Sequence, residues 1–263
     1  MVIIYAQHRS GSTLLNNIIK SSDNVEMLED EVNLYAPFRR KSFEKSYENP
    51  KLSVKALQGS FWKYANGYGI NDSELNKWRL ESSNEVEYIG KFIEHLKSEL
   101  TEGKILGAKY FIHLRRKSKL DLILRNQDIS ILLIRNINAV INSKLNDTSM
   151  RIRKEKWGLL FPVIRISVLI YFCLEFNYFA FHYRKSKGSF VLIKYEEMCI
   201  NRDAVIEKLT NTGIQFSKEL DNIEGKPSSF KNEIDRSFAA NSLFGRILIR
   251  ILTNSARKTF NYD

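Results

Sequence analysis

A short polar segment near the N-terminus, from Arg9 to Thr13, carries residue types that bind phosphate. It follows the apolar run VIIYA (residues 2–6) and precedes LLNNII (residues 14–19), whose apolar positions recur at helical spacing. This pattern predicts a buried strand, a glycine-containing loop and a helix. Backbone N–H groups of such a loop, and of the start of its helix, point at an anion. The predicted anion contacts are Ser10, Gly11, Ser12 and Thr13.

The segment departs from the nucleotide-binding P-loop pattern G-x-x-x-x-G-K-[ST] in two places. When the pattern is aligned on residues 6–13, Ala6 replaces the first glycine and Ser12 replaces the lysine. A kinase or ATPase would lack its main positive charge on the transferred phosphoryl group. The charge is supplied within the loop by Arg9 instead. The loop therefore suits a phosphate but suits ATP hydrolysis poorly.

A second candidate anion site follows the apolar run ILLI at residues 131–134. Arg135 comes directly after this predicted strand, and Ser143 lies eight residues later in a predicted helix. The carboxyl edge of a parallel sheet is where α/β proteins bind ligands. A guanidinium and a hydroxyl that converge at this edge indicate a second phosphate site.

Strands alternate with helices along the chain, which predicts an α/β fold with a parallel five-stranded sheet flanked by helices. The predicted strands are residues 2–6, 25–28, 105–112, 129–134 and 190–195. The predicted helices are residues 85–101, 117–126, 137–149, 156–184 and 202–212. We expect a single domain over residues 1–263, with a capping insertion around 36–84 and a C-terminal tail from about residue 225.

The charge balance favours an anionic ligand or partner, because 41 Lys and Arg against 30 Asp and Glu give a net charge of +11. The basic clusters at 115–117 and 151–154 could contact a nucleic-acid backbone. The sequence shows no nucleic-acid-binding motif, so we expect no specific nucleic-acid partner. Its two cysteines are too few for a disulfide framework, which fits a reducing compartment.

The most apolar long stretch, residues 159–183, is interrupted by Arg165 and Glu175 with nine residues between them. A membrane span needs about 20 apolar residues. The stretch therefore predicts a buried core helix, with an interfacial helix as the alternative. The run LFGRILIRIL (residues 243–252) is amphipathic and basic, which leaves contact with a membrane surface open. Because the N-terminal segment lacks the features of a signal peptide, we expect a cytoplasmic protein, with peripheral membrane association left open.

Three segments together resemble those of sulfotransferases that use 3′-phosphoadenosine 5′-phosphosulfate (PAPS). RSGSTLL (residues 9–15) is similar to their 5′-phosphosulfate loop, and LIRNINAVINS (residues 133–143) to their 3′-phosphate motif. FVLIKYEEM (residues 190–198) resembles a later strand that ends in Y-E-D-L. The similarity covers residues 1–212 and implies the P-loop NTPase-like sulfotransferase fold. The R-S-G-S-T form of the loop resembles that of the carbohydrate-type and bacterial-like enzymes.

The resemblance also implies roles for individual residues. Arg9 would contact the 5′-phosphate and the sulfuryl oxygens, and residues 10–13 would surround the 5′-phosphate. Arg135 and Ser143 would hold the 3′-phosphate, and Tyr195 would lie near the nucleotide. Sulfuryl transfer demands no metal, and the sequence shows no cluster of metal ligands. The basic, glycine-rich C-terminal motif of the cytosolic members is not recognisable in this chain.

The general base for the acceptor hydroxyl has three candidates. Carbohydrate-type enzymes use a glutamate after the second strand, where this chain has Glu29 and Glu31. Cytosolic members use a histidine after the third strand, where it has His113. We rank Glu31 first, His113 second and Glu29 third.

The predicted activity is transfer of the sulfuryl group of PAPS to a hydroxyl of a carbohydrate or glycolipid. The alternatives are a kinase-like phosphotransferase and a non-catalytic protein that binds a nucleotide or polyanion. The sequence does not determine the oligomeric state.

Overall fold

The computed structural model describes residues 1–7, 9–28, 65, 67–83, 85–111, 129–146, 148–186, 189–217 and 243–262. The strands are β1 (Val2–Ala6), β2 (Val25–Met27), β3 (Ile105–Phe111), β4 (Ile129–Ile134) and β5 (Phe190–Lys194). The helices before β4 are α1 (Ser12–Lys20), α2 (Asp72–Glu81) and α3 (Glu85–Ser98). Those after it are α4 (Ile137–Leu145), α5 (Thr148–Trp157), α6 (Phe161–Lys185), α7 (Tyr195–Ile200), α8 (Arg202–Thr210) and α9 (Leu243–Phe260). A 3₁₀ turn, Gly158–Leu160, joins α5 to α6.

The five strands form one parallel sheet in the order β2-β3-β1-β4-β5. The first strand is therefore central, and Val2 aligns with Gly107 of β3 on one side and with Ile129 of β4 on the other. All five strands point the same way, so their carboxyl ends share one edge of the sheet. The predicted α/β fold with a parallel five-stranded sheet is confirmed.

Each face of the sheet is covered by a separate apolar cluster, because alternate residues of a strand point to opposite faces. Ile3 and Tyr5 of β1 join the cluster that includes residues of α2, α3, α4, α6 and α9. Val2, Ile4 and Ala6 join the cluster made with α1, α7 and α8. Burial on both faces explains why β1 is a continuous apolar run rather than an alternating one.

Several predicted boundaries differ from the structure. The helix predicted at 156–184 begins at Phe161, after α5 and the 3₁₀ turn, and the helices predicted at 85–101 and 202–212 end at Ser98 and Thr210. Strand β5 ends at Lys194, so Tyr195 begins helix α7 instead of ending the strand. The helix predicted at 137–149 ends at Leu145, and α5 begins at Thr148. Helix α2 lies within the segment predicted as a weakly periodic insertion, and the Asn71 side chain accepts a hydrogen bond from the Glu74 N–H at its start. The amphipathic run predicted at 243–252 continues as far as Phe260.

Two predictions on domain organisation stay predictions. Residues 36–64 of the proposed capping insertion, the helix predicted at 117–126, and residues 225–242 of the proposed tail lie outside the described residues.

Candidate functional site

The loop between β1 and α1 has a backbone conformation that few residues adopt. Arg9 has a φ of 66° and Gly11 a φ of 87°, both in the left-handed region. Ser10 is fully buried between them, and its hydroxyl donates a hydrogen bond to the Gln7 carbonyl oxygen at 2.6 Å. The Ser10 backbone N–H donates to the same oxygen at 3.2 Å. These two bonds close the turn and direct the chain from the sheet edge into α1.

Helix α1 starts in a way that leaves donors for an anion. Gly11 is its N-cap residue and has no side chain to accept from the first N–H groups. The first N–H groups of any α-helix have no partner within the helix. Ser12 is buried and Thr13 is exposed, so the first turn presents both backbone donors and hydroxyl groups. The predicted anion contacts, residues 10–13, therefore form one continuous turn at the carboxyl edge of the sheet.

Arg135 joins the two predicted phosphate motifs. It follows directly after β4, which neighbours β1, and its side chain is only 7% exposed. One guanidinium nitrogen, Nη1, donates a hydrogen bond to the Arg9 carbonyl oxygen at 3.0 Å. The guanidinium carbon lies 4.2 Å from the ring centroid of Tyr195, within the range of a cation–π contact. The residues after β1, β4 and β5 thus meet at one place.

Tyr195 explains the glycine in the loop. A Cβ atom built on Gly11 would overlap the Tyr195 ring, so the ring packs directly against the glycine backbone. The positive φ of Gly11 separately disfavours a side chain at this position. The aromatic ring therefore lies against both the loop and the Arg135 guanidinium.

Glu196 ties the start of α4 to the C-terminal segment, a role that sequence reasoning did not find. One carboxylate oxygen accepts a hydrogen bond from the Asn136 backbone N–H at 2.9 Å, and the other accepts from the Tyr262 hydroxyl at 2.6 Å. Burial, together with the nearby Glu196 carboxylate, raises the pKa of Tyr262 well above its ordinary value. Glu196 lies beside Tyr195 in sequence, and Asn136 lies beside Arg135. The carboxylate therefore holds two neighbours of the site in register.

A buried carboxyl group lies near Gln7, at the start of the loop. Glu175 of α6 is fully buried, and neither of its carboxyl oxygens makes a hydrogen bond of good geometry within the described part of the chain. Burial raises its pKa to about 8, which the side chains of Gln7 and Tyr171 oppose only in part. Glu175 is therefore protonated at neutral pH. Gln7, buried at the start of the loop, also donates from Nε2 to the Phe172 carbonyl oxygen at 3.4 Å.

Several predicted site residues are not joined to this cluster. Ser143 is half-buried in α4, about 9 Å along the helix axis from its first residue. The three base candidates Glu29, Glu31 and His113 lie outside the described residues, so the choice between them stays a prediction.

Within the described ranges, no three His, Cys, Asp or Glu side chains come together in a group that could hold a metal ion. Cys199 of α7 is half-buried, and burial is the main reason its pKa is raised. The described cluster offers backbone N–H donors, the hydroxyls of Ser12 and Thr13, and the guanidinium groups of Arg9 and Arg135 at the carboxyl edge of the sheet.

This sheet order, with a strand–loop–helix start and ligand-binding residue types at its carboxyl edge, defines an α/β fold of the sulfotransferase type. Among solved structures, the chain is similar to the sulfotransferase domain from the Synechococcus PCC 7002 olefin synthase. The TM-score is 0.60 at 17% sequence identity, over 100% of this chain and 94% of that one. No protein-family model and no curated protein sequence matches the chain. This structural similarity shows the fold. It does not show that the protein belongs to the carbohydrate-type enzymes.

Proposed function

We propose that this protein is a sulfotransferase that uses PAPS as its donor and an alcohol as its acceptor. The observation that supports this most directly is the hydrogen bond from Arg135 Nη1 to the Arg9 carbonyl oxygen. It brings the candidate 3′-phosphate arginine to the candidate 5′-phosphosulfate loop. A ligand with anionic groups at both ends of a ribose would match this pair of sites.

The described residues fit such a donor. The turn formed by residues 10–13 would hold the 5′-phosphate through backbone N–H groups and hydroxyls. Arg135 would hold the 3′-phosphate, and Tyr195 would lie beside the nucleotide. Ser143, which is not joined to the cluster, would contact the 3′-phosphate only as the sequence resemblance implies. Arg9 is exposed in the loop, where its guanidinium would stabilise negative charge on the transferred group and the departing phosphate. The donor itself would supply the sulfuryl group.

The acceptor side of the proposal rests on the sequence resemblance and the charge balance. The R-S-G-S-T loop and the net charge of +11 favour a hydroxyl of a carbohydrate or glycolipid. Glu31, His113 or Glu29 would accept the proton of that hydroxyl as its oxygen becomes bonded to sulfur. The glutamine variants of the two glutamates and the alanine variant of His113 should separate them, because only the true base should lower turnover by orders of magnitude. Unchanged turnover in all three would remove all three from the proposal.

A kinase-like phosphotransferase is the weaker interpretation. Such an enzyme needs a cation at the start of the helix to hold the transferred phosphoryl group. Here that position is Ser12, which is buried.

The donor is tested by calorimetric titration of the protein with adenosine 3′,5′-bisphosphate, ADP and ATP. We expect the bisphosphate to bind at least tenfold more tightly than ADP, because only it offers a group for Arg135. Hydrogen bonds to charged groups contribute about 1.5–3 kcal/mol, so Arg135→Ala should weaken bisphosphate binding by about 10- to 100-fold.

Arg250→Ala is the matched control, since Arg250 is exposed on α9 and has no proposed role. Circular dichroism of each variant shows whether it is folded. Preference for ATP, or equal losses in the Arg135 and Arg250 variants, would contradict the proposal.

A further inference from the structure

One side of helix α6 is apolar and exposed, although the sequence predicted a buried core helix. Its inner side packs in the core through Phe172, Phe176 and Phe179, as that prediction requires. Among the residues that the structure describes, none covers the outer side in this way. Its exposed apolar residues, together with those of the preceding turn, are Leu159, Leu160, Val163, Ile166, Ile170, Leu174 and Phe181. We call this set the α6 stripe.

The α6 stripe runs along one side of the helix. Between Leu174 and Phe181 it is interrupted by the half-buried Asn177, whose Nδ2 donates to the Leu252 carbonyl oxygen of α9 at 2.6 Å. At 100° per residue, Val163, Ile170, Leu174 and Phe181 point within about 20° of one direction around the helix axis, and the other members flank them. From Leu159 to Phe181 the stripe is about 33 Å long. Leu159 is 98% exposed and Val163 is 62% exposed. Ser167 lies on the same side. Its hydroxyl donates a hydrogen bond to the Val163 carbonyl oxygen at 2.9 Å, so its donor is already satisfied within the helix.

Basic residues stand at both ends of the α6 stripe. Lys154 and Lys156 are exposed just before it, and Arg184 and Lys185 are exposed at its end. The sequence adds two more basic residues at 151 and 153, against one acidic residue, Glu155, in the same turns. An apolar strip with cations at both ends suits a surface that runs parallel to the helix and carries negative charge.

By length and composition, the helical stretch Lys154–Lys185 could also cross a membrane, although part of it is buried inside the protein. The inner side argues against a span, because it packs against the sheet and α9 and carries Glu175 in the core. Only the outer side is available to lipid. A helix with one side in a protein core and the other exposed and apolar lies along a surface.

A second copy of the chain fits the α6 stripe less well. Antiparallel pairing of two stripes would place Lys154 and Lys156 of one copy against Arg184 and Lys185 of the other. Parallel pairing would place identical basic ends together. Both arrangements bring like charges into contact, which is destabilising.

We infer that the α6 stripe docks the protein on an anionic lipid surface. In this arrangement α6 lies parallel to the membrane plane, with its outer apolar side chains among the acyl chains and its terminal cations among the headgroups. The inference does not depend on the sulfuryl-transfer proposal. It concerns an exposed helix surface and not the proposed donor site, and its test uses neither donor nor acceptor.

The test is flotation of the full chain with two kinds of vesicle, phosphatidylcholine alone and phosphatidylcholine with about one-third phosphatidylglycerol. We expect partitioning onto the anionic vesicles to exceed that onto the neutral ones by at least tenfold at low salt. Replacing three stripe residues together, Leu159→Ser, Val163→Ser and Ile170→Ser, should reduce the partitioning at least tenfold. Each basic residue near an anionic leaflet contributes about fivefold, so Lys154→Glu with Lys156→Glu should reduce it at least 20-fold.

Ile200→Ser is the matched control, since Ile200 is 76% exposed on α7 and lies outside the stripe. It should leave vesicle binding unchanged, and unchanged thermal melting shows that each variant is folded. Two results would each overturn the inference. These are the absence of binding to anionic vesicles, whether or not the stripe instead pairs two copies of the chain, and equal losses in the Ile200 and stripe variants.

Discussion

Replacing Glu175 with glutamine should remove a loss of stability that the wild-type protein undergoes as the pH rises. Glutamine has nearly the shape of the protonated carboxyl group but cannot ionise. Burial raises the pKa of Glu175 in the folded protein to about 8, from an ordinary value of 4.5. Between these two pH values the carboxyl group is protonated in the folded chain and ionised in the unfolded chain. The unfolded state therefore binds fewer protons, and wild-type stability falls as the pH rises through this window.

The size of the effect follows from the pH interval. Each pH unit within the window changes the free energy of unfolding by about 1.4 kcal/mol. From pH 5 to pH 7.5 the wild-type protein should lose about 3 kcal/mol through Glu175 alone. The Glu175→Gln variant lacks this loss, so its advantage over the wild type should grow by about 3 kcal/mol over the same interval. The pH-independent difference between a buried amide and a buried acid cancels in this comparison.

Urea unfolding followed by tryptophan fluorescence at several pH values gives the required free energies. Glu81→Gln is the control, because the hydrogen bond from Lys91 lowers the pKa of the exposed Glu81 below 4.5. Glu81 is then ionised in both states above pH 5, and its variant should run parallel to the wild type. A constant difference between the Glu175→Gln variant and the wild type from pH 5 to pH 7.5 would refute the reasoning.

Three further outcomes test the site and the core. Gly11→Ala should weaken adenosine 3′,5′-bisphosphate binding at least tenfold in a calorimetric titration, because the left-handed φ disfavours alanine by about 1–2 kcal/mol and the new methyl group overlaps the Tyr195 ring. Wild-type affinity would contradict the packing of that ring on the loop. Tyr262→Phe should lower the free energy of unfolding by about 2 kcal/mol, because it removes the hydroxyl that donates to Glu196. A loss within the error of urea unfolding would show that this bond contributes nothing. Burial raises the pKa of Cys173 to about 12, so iodoacetamide at pH 8 should modify this thiol only after unfolding. Peptide mapping by mass spectrometry would detect early modification, which would count against its burial.

The elements that bring the site together were predictable because their signals are local. Strands β1 and β4 are buried on both faces, so each is a short, unbroken apolar run. The placement of Arg135 beside the loop followed from one rule, that neighbouring parallel strands deliver the residues after them to a common edge. Helix α2 could also have been found, since Asn71 with Glu74 three residues later is a helix-start pattern.

The contacts that sequence reasoning missed join residues far apart in the chain. Glu196 and Tyr262 are 66 positions apart, and no periodicity links them. The aromatic ring of Tyr195 was expected at the end of a strand, but the chain turns into α7 there and sets the ring against Gly11. The exposure of the α6 stripe could not be predicted from composition. A helix that is apolar on all sides has the same composition whether one side or both sides are covered by the rest of the protein.

The central position of β1 has a consequence for how the chain folds. Val2 aligns with Gly107 and Ile129, so the first strand finds both of its partners more than 100 residues later. Closing loops of this length before any sheet contact forms makes nucleation slow. The loop that begins at Gln7 can reach its final shape only after β4 has brought Arg135 to the Arg9 carbonyl. In a refolding experiment, competence to bind an anion at this loop should therefore appear late, after the local helices have formed.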